Sequence, residues 1–131
     1  MTYKQYLFMT VSEKDQEGSF TQATQYLGKQ VSLMIDRPLG SRHPDYHFEY
    51  PLNYGYVPHT ISPDGEELDA YVLGGGKPLK TFNGRCIAVI HRLDDDDDKL
   101  IVVPDGVQLS NKEIRKLTWF QEQFFTSEIL R

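Results

Sequence analysis

The chain has 131 residues, with 19 acidic against 14 basic side chains and a formal net charge of −5. That length suits a single domain, residues 1–131, with a real hydrophobic core, and the acidic balance argues against a nucleic-acid binder, which would carry a basic stripe. No apolar run is long enough to span a bilayer, Met1 to Thr10 lacks the core of a secretory signal, and the lone Cys86 has no internal disulfide partner, so a cytoplasmic protein with no membrane partner is expected.

Residues 1–28 form a poorly defined N-terminal extension: Tyr6 to Val11 reads as a strand, Ser12 to Gly18 as a polar turn, and Thr21 to Leu27 as a short helix. From Val31 the pattern sharpens. Val31 to Ile35 reads as a strand stopped by Asp36-Arg37-Pro38-Leu39-Gly40, and residues 40–49 as a loop rich in Gly, His and Pro. Tyr50 to Val57 is extended. Ala70 to Leu73 is a strand ended by Gly74-Gly75-Gly76, Arg85 to Leu93 is another, and Lys99 to Val103 a third. Cys86 sits within an apolar run, where a buried thiol is expected rather than a nucleophile. Short strands with Gly and Pro turns give a mostly β fold, a small closed barrel or sandwich. The last segment changes character. Ser110 and Glu113 have the spacing of a capping box, and Ile114, Leu117, Phe120, Phe124 and Leu130 recur at helical intervals, so one amphipathic helix packs on the barrel.

The acids are unevenly spread. Residues 64–98 hold nine acidic side chains against four basic ones, and the rest of the chain holds ten of each. Two clusters account for the difference, Asp64-Gly65-Glu66-Glu67-Leu68-Asp69 and the run Asp94 to Asp98, which joins two apolar strands as a hairpin would. A run of aspartates is as compatible with a solvated loop as with a site. Hard divalent cations prefer carboxylate oxygens, and converging carboxylates repel one another unless a cation or a proton intervenes. Gly65 lets the chain turn, so Asp64, Glu66 and Asp69 can converge from a loop.

Three segments together resemble the soluble inorganic pyrophosphatases, in particular a short bacterial subgroup with Ile35-Asp36-Arg37-Pro38-Leu39-Gly40-Ser41 and His43-Pro44. They are Tyr50-Pro51-Leu52-Asn53-Tyr54-Gly55-Tyr56, the Asp64–Asp69 cluster, and Asp97-Asp98-Lys99-Leu100. The resemblance covers roughly residues 30–125. It implies a closed OB-like β-barrel of about five strands, and hydrolysis of pyrophosphate by a metal-activated water. Mg²⁺, with Mn²⁺ as an alternative, would neutralise phosphate oxygens and lower the pKa of the attacking water. By resemblance Asp64, Asp69, Asp94 and Asp97 hold metal. Arg37, Tyr54 and Lys99 bind the substrate and assist catalysis, Tyr50 positions acids or water, and Glu66 activates the water. Asp98 exchanges roles with Asp97 if the run is one residue out of register, while Asp95 and Asp96 face solvent.

Several positions depart from that pattern. Glu66 stands where the family has aspartate, and Phe124 and Phe125 stand where it has a phosphate-binding Tyr-Lys pair; neither phenylalanine can donate a hydrogen bond. Lys29, Arg42, His43, His47 and His59 are candidates for substitute contacts. The expected partner is inorganic pyrophosphate or a related small phosphoanhydride, with a homo-oligomer left open and altered or weak activity expected. The alternative is a non-catalytic metal- and phosphate-binding domain of the same fold.

Overall fold

Alternation makes the first strand: Val31 and Leu33 are buried while Gln30, Ser32 and Met34 are exposed along β1 (Gln30–Arg37). It is followed by β2 (Asn53–Val57), β3 (Leu68–Val72), β4 (Thr81–Arg92), β5 (Lys99–Val103), α1 (Asn111–Glu122) and β6 (Ser127–Leu130). The computed structural model describes residues 23–60, 65–95 and 97–131. The strand expected over Tyr6 to Val11 and the turn over Ser12 to Gly18 lie outside them, and of the expected helix Ala23 and Thr24 are helical.

The strands are hydrogen-bonded in the order β1-β2-β3-β5-β4, and β4 returns to β1, so five of them close into a barrel. Neighbours are antiparallel except β3 and β5, which run parallel with Asp69 opposite Lys99. Strand β4 is 12 residues long and serves two partners along one edge. Thr81 to Arg85 pair with β1, and Val89 to Arg92 pair with β6. Its register against β5 shifts between Cys86 and Ala88, a bulge that bends the strand as it passes from one partner to the other. Two glycines permit the tight closure. A side chain at Gly55 would land on the Met34 carbonyl, and one at Gly84 on the Val103 carbonyl and the Phe82 ring.

Apolar side chains form two layers. Val31, Leu33, Ala70, Val89, Leu100 and Val102 fill the barrel interior. Tyr50, Tyr54, Tyr71, Ile90, Ile101 and Ile114 fill a second layer between the outer wall and α1. Strand β5 is buried on both faces, which is why it reads as an unbroken apolar run.

The capping box forms as expected: Ser110 Oγ accepts from Glu113 N at 3.1 Å, and Glu113 Oε1 accepts from Ser110 N at 3.3 Å. The helix is shorter than its apolar spacing suggests. It ends at Glu122, so Phe124 lies beyond it and is 49% exposed, and Leu130 belongs to β6 and packs inside the barrel. Leu117 is 42% exposed, whereas Thr118, Gln121 and Glu122 are buried. The inward face of α1 is therefore partly polar. Among the described residues no helix is long and apolar enough to cross a membrane.

Candidate active site

Antiparallel and parallel registers bring one face of four strands to a common patch. Tyr54 of β2 pairs with Tyr71 of β3, Asp69 of β3 with Lys99 of β5, and Lys99 with Ile90 of β4, so these side chains share the outer face beneath α1. There Lys99 Nζ donates to Asp69 Oδ2 at 2.5 Å and to Asp97 Oδ2 at 2.8 Å. Lys99 is only 2% exposed. Burial works against its charge, but the two carboxylates outweigh burial and hold its pKa above the ordinary lysine value. Burial raises the pKa of Asp97, against the pull of Lys99, with the Asp69 charge adding to the rise. The ring of Tyr54 stands 5.5 Å from Lys99 Nζ. Burial and then the charges of Asp69 and Asp97 push its hydroxyl well above the usual range, so it stays a donor.

A cleft of about 240 Å³ opens over this patch, lined by Asp36, Arg37, Tyr50, Tyr54, Asp97 and Lys99 together with His43, Tyr46, Arg92, Gln121 and Phe125. Arg37 comes from the end of β1, just past a register shift between Ile35 and Arg37. Tyr50 donates to Gln121 Oε1 at 3.0 Å. His43 Nδ1 accepts from the backbone N–H groups of Asp45 and Tyr46 at 3.0 and 3.1 Å, which fixes the ring at the cleft wall.

The aspartate run divides along its length. Asp97 faces Lys99, whereas Asp98 points to the other face, where it is 1% exposed and pairs with His91 Nδ1 at 2.7 Å. Asp94 Oδ2 accepts from Thr126 N at 2.9 Å and ties the β4–β5 turn to the segment after α1. Asp95 is exposed, yet it holds Arg92 at 3.2 Å and accepts from Asp97 N at 3.1 Å. Glu66 is exposed on the connection between β2 and β3, and Asp64 and Asp96 lie outside the described residues. Of the substitute cations, His43 lines the cleft; His59 lines a separate groove beside Val57 and Pro58, and Arg42 donates to His47 O at 3.1 Å.

Sequence reasoning overlooked four residues behind the patch. Arg92 donates to Glu122 through Nε at 3.0 Å and Nη2 at 2.8 Å, and reaches Asp97 through Nη1 at 3.3 Å. Tyr71 donates to Glu122 Oε2 at 2.5 Å, and Gln121 Nε2 donates to the Tyr71 hydroxyl at 2.7 Å. The sequence signal was the polar run Gln121-Glu122-Gln123, set between the aromatic pairs Trp119-Phe120 and Phe124-Phe125. Removing one partner of the Arg92–Glu122 pair would leave a buried charge, a loss of about 3–5 kcal/mol.

Among the described residues no three His, Cys, Asp or Glu side chains stand together as a ready metal cage. The Asp69 and Asp97 carboxylates nevertheless converge on one cation, and Mg²⁺ is commonly held by one or two carboxylates with phosphate and water oxygens completing its shell. The donor set fits such an ion. A larger groove of about 620 Å³ is lined by Leu27, Arg85, Leu109 and Arg131 and holds none of the motif residues. Its arginines are already engaged, Arg85 by Gly28 O and Asp105 and Arg131 by Leu109 O and Asn111.

The sequence model of one family, described as inorganic pyrophosphatase, matches residues 21–129. The chain belongs to the inorganic pyrophosphatase family. It is 35% identical over 74 residues to the inorganic pyrophosphatase of Pseudomonas aeruginosa, a match covering 53% of this chain and 42% of that protein. It is 37% identical over 81 residues to that of Helicobacter pylori, covering 56% and 42%. The chain thus spans less than half the length of these two relatives. Among solved structures, an inorganic pyrophosphatase from Neisseria gonorrhoeae superimposes with a TM-score of 0.56 at 26% identity, over 70% of this chain and 71% of that one. That of Thermus thermophilus superimposes with a TM-score of 0.53 at 20% identity, over 76% and 79%, a likeness of fold.

Proposed function

We propose that this pyrophosphatase-family chain hydrolyses inorganic pyrophosphate with the help of a divalent cation, Mg²⁺ by preference. The observation that carries the reading is the convergence of Asp69 and Asp97 on Lys99, which lines one cleft with Asp97, Arg37 and Tyr54. Asp97, on the cleft wall, and Asp69, beside it on Lys99, would hold the cation. Asp64 would join them, and Asp94 would act from the turn once released from Thr126. A bound Mg²⁺ supplies neutralisation of phosphate charge and a more acidic water.

The chain's own residues do the rest. Arg37 and Lys99 would bind phosphate oxygens, Lys99 exchanging a carboxylate partner for the substrate when Asp69 and Asp97 hold a cation. The Tyr54 hydroxyl, kept protonated by its surroundings, donates to the substrate. A water oxygen bonds to one phosphorus while the bridging P–O bond breaks, giving two phosphates, and Glu66 receives the water's proton. Glu66, exposed on the connection between β2 and β3, carries its carboxylate one methylene further out than the family's aspartate, so turnover is slower; a displacement of about 1 Å can cost about a hundredfold.

Phe124 and Phe125, standing in place of donors, favour a second reading, a domain that binds metal and phosphate without turnover. Phosphate release from pyrophosphate separates the two. Release with Mg²⁺ that stops on chelation supports hydrolysis. Phosphate binding without release from pyrophosphate, triphosphate or nucleotides supports the second reading.

A further inference from the structure

Arg92 ends β4 on the same face as Lys99, and no motif of the chain assigns it a role. Its side chain is 5% exposed, and two of its three guanidinium nitrogens are spent on Glu122, itself fully buried and held in turn by Tyr71. That bidentate anchor fixes the guanidinium plane. The third nitrogen, Nη1, is turned to the acids of the cleft, 3.3 Å from Asp97 and 3.2 Å from Asp95. Phe125 backs the group, its ring centroid 3.6 Å from Cζ, and both residues line the cleft with Arg37 and Lys99.

Neutralising Glu122 alone would not require a nitrogen aimed at the cleft. A guanidinium held on one edge by Glu122, with its remaining nitrogen directed at the acids of the cleft wall, is a preset donor for a phosphate oxygen. Of its two present partners, Asp97 is one of the carboxylates expected to hold a cation and Asp95 is part-exposed on the turn, so an incoming phosphate oxygen would take the place of Asp97 at Nη1. We propose that Arg92, anchored by Glu122 and backed by Phe125, is a further substrate-binding residue whose Nη1 contacts a phosphate group in the cleft. The assignment rests on the phosphoanhydride reading above. It also gives a physical meaning to Phe125: the cation of this wall comes from the end of β4, and the residue after α1 supplies its platform.

The test is the variant Arg92→Met/Glu122→Gln, which removes both charges so that neither is left buried alone. Affinity for inorganic phosphate is measured by calorimetry in the presence of Mg²⁺, with KM for pyrophosphate and thermal stability alongside. Loss of one charge-assisted contact weakens phosphate binding and raises KM by about ten- to a hundredfold. Adding Phe125→Lys to that variant returns a cation to the same wall and recovers most of the loss. Arg92→Lys is the second arm, since it leaves Glu122 paired but offers one nitrogen where two directions must be served; it too weakens phosphate binding. A folded variant of either kind that binds phosphate and pyrophosphate as the wild type does, within about twofold, overturns the assignment alone. Wild-type protein that binds neither anion overturns the underlying reading and this assignment with it.

Discussion

Cys86 and Asp97 show how burial sets chemistry at single residues. Cys86 lies inside the barrel, fully buried, and burial pushes its thiol from 9.0 up to about 12, despite backbone hydrogen bonds that favour the thiolate. Its folded value lies above its unfolded value, so the stability it contributes is complete below pH 9.0 and is lost as pH rises through about 12. Native protein is therefore expected to resist thiol reagents at pH 8 and to react at once in urea; rapid native alkylation would refute a buried thiol. Stability of Cys86→Ala should fall less than that of the wild type between pH 9.0 and about 12, measured by urea unfolding. Asp97 is buried for a different end. Its carboxylate is kept in the outer layer by Lys99 and Arg92, and the same burial that raises its pKa makes a bound cation favourable.

At the scale of elements, α1 couples the barrel to the cleft. Its cap is legible in four letters, Ser110 to Glu113, and its removal should be correspondingly local. Ser110→Ala is expected to lose about 1 kcal/mol in denaturant unfolding, with phosphate release unchanged; a loss near zero would mean that the cap is not supporting the helix. Strands β1, β3, β4 and β5 were legible to within a few residues, because alternation and apolar runs report directly on burial. The end of α1 was not. Periodicity carried the helix on to Phe124 and Leu130, since a strand of four residues pairing with β4 has no local signature to compete with it. The inward polar face has no local signature either, because Gln121 and Glu122 gain their partners only when Tyr71 and Arg92, 50 and 30 residues away, are brought against them. Likewise Asp69 and Lys99 could be named from their motifs, but their contact depends on a parallel pairing that spacing alone does not give.

The described strands form a closed barrel whose outer face, rather than its interior, carries the proposed site. Closure packs Val31, Leu33, Val89 and Leu100 within, and leaves the outer wall of β2, β3, β5 and β4 to present Tyr54, Asp69, Lys99 and Arg92 in one layer under α1. The two faces meet at the aspartate run, where successive residues serve opposite sides: Asp97 the cleft, Asp98 the pair with His91. Comparing Asp97→Asn with Asp98→Asn tests this division most directly, with Mg²⁺-dependent phosphate release from pyrophosphate and thermal stability measured on both. Asp97→Asn is predicted to lose about a hundredfold or more in release while remaining folded. Asp98→Asn is predicted to lower thermal stability and keep release within severalfold of the wild type. Full activity in Asp97→Asn, or its loss in a folded Asp98→Asn, would contradict the assignment of the outer face as the site.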